Sequence, residues 1–286
     1  MYGLQPTSIH QATYKTLSLN DEDEKIKKVL FSDNQPHINL KNIYEGDVVN
    51  VICSITSSLS LLQLLLLSNA LDNLFTRKNE LVIPYLLGAR SDRVMQTGDS
   101  VDLKVIADLI NYCSFKKVTL FDVHSEVSLM LIANSVNITN EKLVRSYQSP
   151  NDSKGSILIC PDSGAAKKIH KCLEWNKEFE DIVYCVKHRD MGNGNISLKV
   201  LEPEKCKDRN CVIVDDLCDG GRTFISIAEQ IKPKYLTLIV SHGIFSYGFS
   251  LLEKHFNKII TSDSYNHNYE SDIVEVVKLI DYETVF

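Results

Sequence analysis

Residues 211–224 read CVIVDDLCDGGRTF: an apolar run stops at two adjacent carboxylates, Asp215 and Asp216, and a glycine pair follows after Asp219. Gly220 and Gly221 lack side chains, so main-chain N–H groups can curl around an anion at the start of the next helix. Thr223 adds a hydroxyl there and Arg222 a charge. Carboxylates repel phosphate, yet Asp215 and Asp216 suit the hydrogen bonds of sugar hydroxyls, taken directly or through a hydrated divalent cation. A phosphorylated sugar satisfies both parts of the loop.

Other chemistry-bearing residues stand in the same kind of place. His124, Asp162, Asp215 and Asp216 each follow an apolar run, and in parallel sheets ligands gather beyond the carboxyl ends of the strands. Lys187 and Arg189 precede Gly192-Asn193-Gly194-Asn195; cations beside a glycine-rich stretch suit a lid over a charged ligand.

The elements that must position these residues are an alternation of short apolar runs and helical patterns, the signature of strand–helix–strand units around a parallel sheet. Strands are expected at Val48–Ile55, Leu81–Leu86, Lys117–Val123, Ser156–Cys160, Ile182–Val186, Cys211–Val214 and Tyr235–Val240. Val101, Val105, Ile106, Leu109, Ile110 and Cys113 recur at helical spacing, with Ser100 as the expected N-cap. The apolar run Leu59–Leu67 is far shorter than the roughly 20 residues that span a bilayer and reads as a buried helix. The acidic run at 21–24 reads as a solvated face or a helix start.

Element order repeats between the halves. The polar, Pro- and Gly-containing stretch from Ser146 to Gly155 suits a linker, so two α/β domains are expected, 1–147 and 148–286. The composition is that of an ordinary globular protein, 44% hydrophobic and 24% charged over 286 residues. A formal charge of −6 with no basic stripe excludes a nucleic-acid surface. The first residues lack the pattern of a secretion signal, and a cytoplasmic location is expected. Eight scattered cysteines without a CxxC pair point to reduced core thiols, and no structural zinc is expected.

The run D-D-x-x-D-G-G-x-T after an apolar strand resembles the ribose-phosphate loop of the type I phosphoribosyltransferase fold. Further segments narrow the resemblance to the ribose-phosphate pyrophosphokinases: FSDNQ at 31–35, VIPYLLGARSDR at 82–93, TLFDVHSE at 119–126, ICPDSGAAKK at 159–168, VKHR at 186–189 and SHGIF at 241–245. They occur in family order across almost the whole chain.

The resemblance implies two tandem type I phosphoribosyltransferase-like domains, each with a mostly parallel sheet flanked by helices. It also implies transfer of the β,γ-diphosphate of ATP to the 1-hydroxyl of ribose 5-phosphate with Mg²⁺. His124 and Asp162 would position Mg²⁺ and the triphosphate, with His124, Lys187 and Arg189 catalytic. Arg90, Ser91 and Asp92 would bind ATP with Phe31, Asp33 and Gln35 of a neighbouring subunit, so that the active unit is a dimer or hexamer. Asp215, Asp216, Asp219, Gly220, Gly221, Arg222 and Thr223 would bind the ribose phosphate.

The chain departs from the family's D-T-G-G-T by reading Asp219-Gly220-Gly221-Arg222-Thr223, which removes one hydroxyl and inserts a guanidinium. An Arg here suits a larger 5′ group, which leaves ADP-ribose open as an alternative acceptor. A non-catalytic partner of a synthetase is a third reading.

Overall fold

The computed structural model describes residues 13–150, 155–189 and 196–279; at 187–189 and 196–197 only the main chain is described. The chain divides into two compact units, Met1–Ile138 and Thr139–Phe286.

The first unit is built on a five-stranded sheet in the order β1 (Tyr14–Ser18), β4 (Val48–Ile52), β5 (Arg77–Ile83), β6 (Lys117–Phe121), β7 (Ser135–Ile138), every pair parallel. Its central strands are buried on both faces, which is why they read as unbroken apolar runs. A separate antiparallel hairpin, β2 (Ile26–Leu30) and β3 (Pro36–Leu40), carries the FSDNQ segment at its tip.

Helix α1 (Ser58–Asn73) begins at a reciprocal cap: the Ser57 amide donates to Ser60 Oγ at 3.0 Å, and the Ser60 amide to Ser57 Oγ at 3.2 Å. Leu61, Leu64, Leu67 and Leu71 recur at helical spacing and are buried in the core with Val49, Val51, Leu81 and Ile83. The run expected as a buried helix is helical but buries only one face, leaving Leu59 and Leu62 exposed.

Helix α2 (Asp102–Tyr112) buries Leu103, Ile106 and Ile110 in the same core, and the short α3 (Val127–Leu131) follows β6. The expected cap at Ser100 is not formed. Val101 occupies the cap position, and the Ser100 hydroxyl is turned to the Asp102 carboxylate instead of the main chain.

The second unit holds a seven-stranded sheet in the order β10 (Ile196–Val200), β9 (Phe179–Arg189), β8 (Ser156–Cys160), β11 (Asn210–Cys218), β12 (Tyr235–Gly243), β13 (Lys258–Ser262), β14 (Val274–Val277). Only the β9–β10 pair is antiparallel. Helix α5 (Ala166–Trp175) follows β8, and the short α6 (Arg222–Ala228) follows β11. Helix α4 (Glu141–Ser146) packs against α5, and Asn176 Nδ2 ties it down through the Val144 and Tyr147 carbonyls at 2.8 and 2.9 Å.

From β8 the chain runs outward on one side to β9 and later returns on the other side as β11. That reversal of strand order opens a crevice at the carboxyl ends of β8 and β11, the place where open α/β sheets bind ligands.

All eight cysteines are free thiols and buried, as expected. Among the described residues no helix is long and apolar enough to cross a membrane.

Candidate active site

In the first unit, strand β5 leads into the turn at 87–90, where Gly88 adopts φ +77°. Two constraints reserve this position for glycine. The φ is unfavourable for other residues, and a Cβ would stand 2.7 Å from Ile106 Cδ1. The Ser91 amide donates to the Gly88 carbonyl at 2.9 Å, and the Leu103 amide to the Ser91 carbonyl at 3.2 Å. The loop that carries Arg90, Ser91 and Asp92 is thereby fastened to the start of α2.

Asp92 is committed within this loop. Arg93 donates from Nε to Oδ1 at 2.7 Å and from its terminal nitrogen to Oδ2 at 2.9 Å. The Arg93 and Ser125 hydrogen bonds, in that order, hold the Asp92 carboxyl well below the usual range, and the charge of nearby His124 adds to the effect. His124 and Ser125 follow β6, so the ends of two adjacent strands bring these groups together. His124 and Arg90 are exposed.

At the tip of the β2–β3 hairpin, the Phe31 amide donates to the Gln35 carbonyl and the Asn34 amide to the Phe31 carbonyl, both at 2.9 Å. Asn34 has φ +66°, which lets the turn close. Phe31, Asp33 and Gln35 are all exposed at this tip.

In the second unit, β11 runs further than its apolar residues announce. Asp215 pairs with Val240, Leu217 with His242 and Cys218 with Gly243, so Asp215 and Asp216 lie inside the strand instead of beginning a loop. The strand continues because β12 is equally long beside it.

Burial, then the charge of Asp216, push the Asp215 carboxyl well above the usual range; Lys168 of α5 opposes this. Asp162, just past β8, accepts the Ala165 amide at 3.1 Å and shapes the turn into α5. Its charge and that of Asp215 both act on Cys160, whose thiol is pushed up to about 11, mainly by burial. Asp162, Asp215 and Lys168 thus form one neighbourhood at the strand-order reversal.

The loop Asp219–Gly221 follows. Gly221 caps α6 at φ +75°, and a Cβ on it would meet Leu252 Cδ2 at 2.9 Å. Its amide is directed at the Cys218 sulfur. The first amides of α6, beginning at Arg222, have no carbonyl one turn back to bond within the helix. Thr223 is half-buried and Arg222 exposed.

Strand β9 extends three residues past its expected end, so Lys187 and Arg189 belong to a strand paired with β10 through Leu198 and Ile196. The glycine-rich residues 192–195 expected beside them lie outside the described residues, as do the side chains at 187 and 189.

No group of three or more His, Cys, Asp or Glu side chains among the described residues could cage a metal ion. Mg²⁺ keeps several waters and takes only one or two protein carboxylates. The hard carboxylate oxygens of Asp162 are donors of that class.

Sequence reasoning did not single out Arg93, Ser125, Lys168 or Tyr247. Arg93, Ser125 and Lys168 lay inside recognised segments, ARSDR, HSE and GAAKK, but nothing in their spacing told which carboxylate each would serve.

Comparison with known proteins agrees with this architecture. Residues 8–113 match the family model described as the N-terminal domain of ribose phosphate pyrophosphokinase, and residues 132–270 match the phosphoribosyl transferase domain. The ribose-phosphate pyrophosphokinase of Mycoplasmopsis pulmonis is 23% identical over 252 residues, covering 86% of this chain and 78% of the relative. That of Sulfurisphaera tokodaii is 22% identical, covering 83% and 81%. The crystal structure of phosphoribosylpyrophosphate synthetase from Mycobacterium smegmatis superposes with a TM-score of 0.79 over 93% of this chain and 94% of the other, at 15% identity, and shares the fold.

Proposed function

The chain belongs to the ribose-phosphate pyrophosphokinase family, and from that premise we propose that it transfers the β,γ-diphosphate of ATP to the 1-hydroxyl of ribose 5-phosphate. The products are phosphoribosyl pyrophosphate and AMP. A bond forms between the sugar O1 and the β-phosphorus, the bond from that phosphorus to the oxygen bridging it to the α-phosphorus breaks, and AMP leaves with that oxygen. The hydroxyl proton is released.

Such a transfer is catalysed by alignment and by stabilising charge on the phosphoryl oxygens. Asp215 and Asp216 accept hydrogen bonds from the ribose hydroxyls and so aim O1. Residues 219–223 receive the 5′-phosphate on the first amides of α6, the Thr223 hydroxyl and Arg222. Lys187 and Arg189 neutralise the migrating diphosphate. Arg90, Ser91 and Asp92 receive the nucleotide, with Phe31, Asp33 and Gln35 of a second subunit completing its site in a homo-oligomer. Mg²⁺, for which the family resemblance names Asp162 and His124, would withdraw charge from the phosphoryl oxygens when bound.

The observation that carries this reading is the presence in one chain of both family domains, one matching over 8–113 and the other over 132–270. A phosphoribosyltransferase that consumes the product needs only the second. The names of the relatives favour ribose 5-phosphate over ADP-ribose as acceptor, and an enzyme over a non-catalytic partner.

The test is incubation with ATP, Mg²⁺ and ribose 5-phosphate. One AMP and one phosphoribosyl pyrophosphate are expected per ATP consumed; ATP left intact, or ADP formed in place of AMP, would overturn the reading.

A further inference from the structure

Gly220 is not open on both sides. A Cβ built on it would stand 2.8 Å from Cε2 and 2.9 Å from Cδ2 of Tyr247, so the tyrosine ring fills the space that a side chain at 220 would need. The ring is nevertheless 66% exposed, and its hydroxyl makes no hydrogen bond to another described residue.

Tyr247 is also held in place. The Ile244 and Phe245 amides both donate to the Cys218 carbonyl, at 2.9 and 3.1 Å, and the Ser246 amide to the Asp219 carbonyl at 3.2 Å. Below, Phe245 packs against Phe249 and Tyr269 with ring centroids 4.8 and 5.3 Å away. Gly248, at φ +68°, closes the turn. A large side chain fixed by its main chain, yet with an exposed ring and an unspent hydroxyl, gains nothing for the core from its polar end.

We infer that Tyr247 is a specificity-determining residue for the sugar substrate, its hydroxyl donating to the 5′-phosphate received by residues 219–223. This rests on the function proposed above. In the family pattern a threonine hydroxyl stands at position 220; here position 220 is glycine, and the ring that excludes a side chain there brings a hydroxyl of its own. The donor is relocated from the loop to the neighbouring turn.

Three variants test the relocation: Tyr247→Phe, Gly220→Thr, and Gly220→Thr combined with Tyr247→Gly. Tyr247→Phe keeps the ring and removes one hydrogen bond to a charged group, so the KM for ribose 5-phosphate should rise roughly tenfold, with the KM for ATP and the melting temperature unchanged. Gly220→Thr drives a side chain into the ring and should lower kcat/KM for the sugar further. The double variant should recover at least half of that loss on a logarithmic scale. An unchanged sugar KM in Tyr247→Phe, or a double variant no better than Gly220→Thr, would overturn the inference.

Calorimetric titration with ribose 5-phosphate alone separates the two readings. If wild type releases no AMP, the proposed reaction fails, while weaker sugar-phosphate binding by Tyr247→Phe would still support the inference and unchanged binding would sink it.

Discussion

The Asp92 carboxylate takes two parallel hydrogen bonds from Arg93, at 2.7 and 2.9 Å, with the acid side chain 7% exposed and the guanidinium 69% exposed. This fork uses both carboxylate oxygens, so Asp92 shapes the loop at 90–93 and presents Arg93 outward; in the proposed nucleotide site its part would be to place that cation. Arg93→Ala should raise the KM for ATP roughly tenfold. Asp92→Asn, which keeps the shape but weakens the fork, should raise it less. AMP release at saturating ribose 5-phosphate measures both, and equal effects of the two variants would contradict this order.

Gly88 makes the same loop sensitive to backbone chemistry. Gly88→Ala meets both the unfavourable φ of +77° and Ile106 Cδ1 at 2.7 Å, and should cost about 1–3 kcal/mol in urea unfolding. Ile106→Val removes that δ-methyl. Added to Gly88→Ala it should recover the steric part of the loss and leave the φ part, so the double variant should fall between wild type and the single glycine variant.

Asp215 places function against stability. Its carboxyl is buried beside that of Asp216, which is why its proton is held so firmly. Asp215→Asn removes the cost of taking up that proton on folding at neutral pH, without changing shape, and should gain about 1 kcal/mol, roughly 2–4 °C in melting temperature for a unit of this size. The same change removes an acceptor for the ribose hydroxyls and should lower kcat/KM for ribose 5-phosphate by about two orders of magnitude. Scanning calorimetry and AMP release together check the opposite signs; a destabilised variant would show that the carboxyl has a partner worth more than that cost and would overturn the prediction.

The alternating apolar runs made the parallel sheets legible, because strands buried on both faces must be apolar throughout. Strand ends were less legible. Val214 looks like the end of β11 because Asp215 and Asp216 are charged, but main-chain pairing with β12 continues to Cys218 regardless of side chain. Likewise β9 runs to Arg189 because β10 pairs with it, and no local pattern records a partner strand. Ser100 has the right type for a cap, yet Asp102, two residues on, takes its hydroxyl.

The candidate site divides in the same way. Its acids and glycines stood out by type and position, whereas Tyr247 and Lys168 enter through contacts made across the fold, which spacing along the chain does not encode.

The buried thiols bear on stability at alkaline pH. Burial pushes Cys53, Cys185 and Cys218 up to about 12 and Cys160 to about 11, against roughly 8.5 in an unfolded chain. Between these values the unfolded state releases protons that the folded state keeps, so stability is fully present below about pH 8.5 and declines as pH rises toward 11–12. Lysines and tyrosines titrate in the same range, so the comparison must be differential. Cys53 is completely enclosed, and Cys53→Val keeps its volume without an ionisable group; the urea midpoint of this variant should fall less steeply between pH 9 and 11 than that of wild type. Identical slopes would mean that the Cys53 thiol ionises as readily in the folded protein as in the unfolded chain, and would overturn this account of its burial.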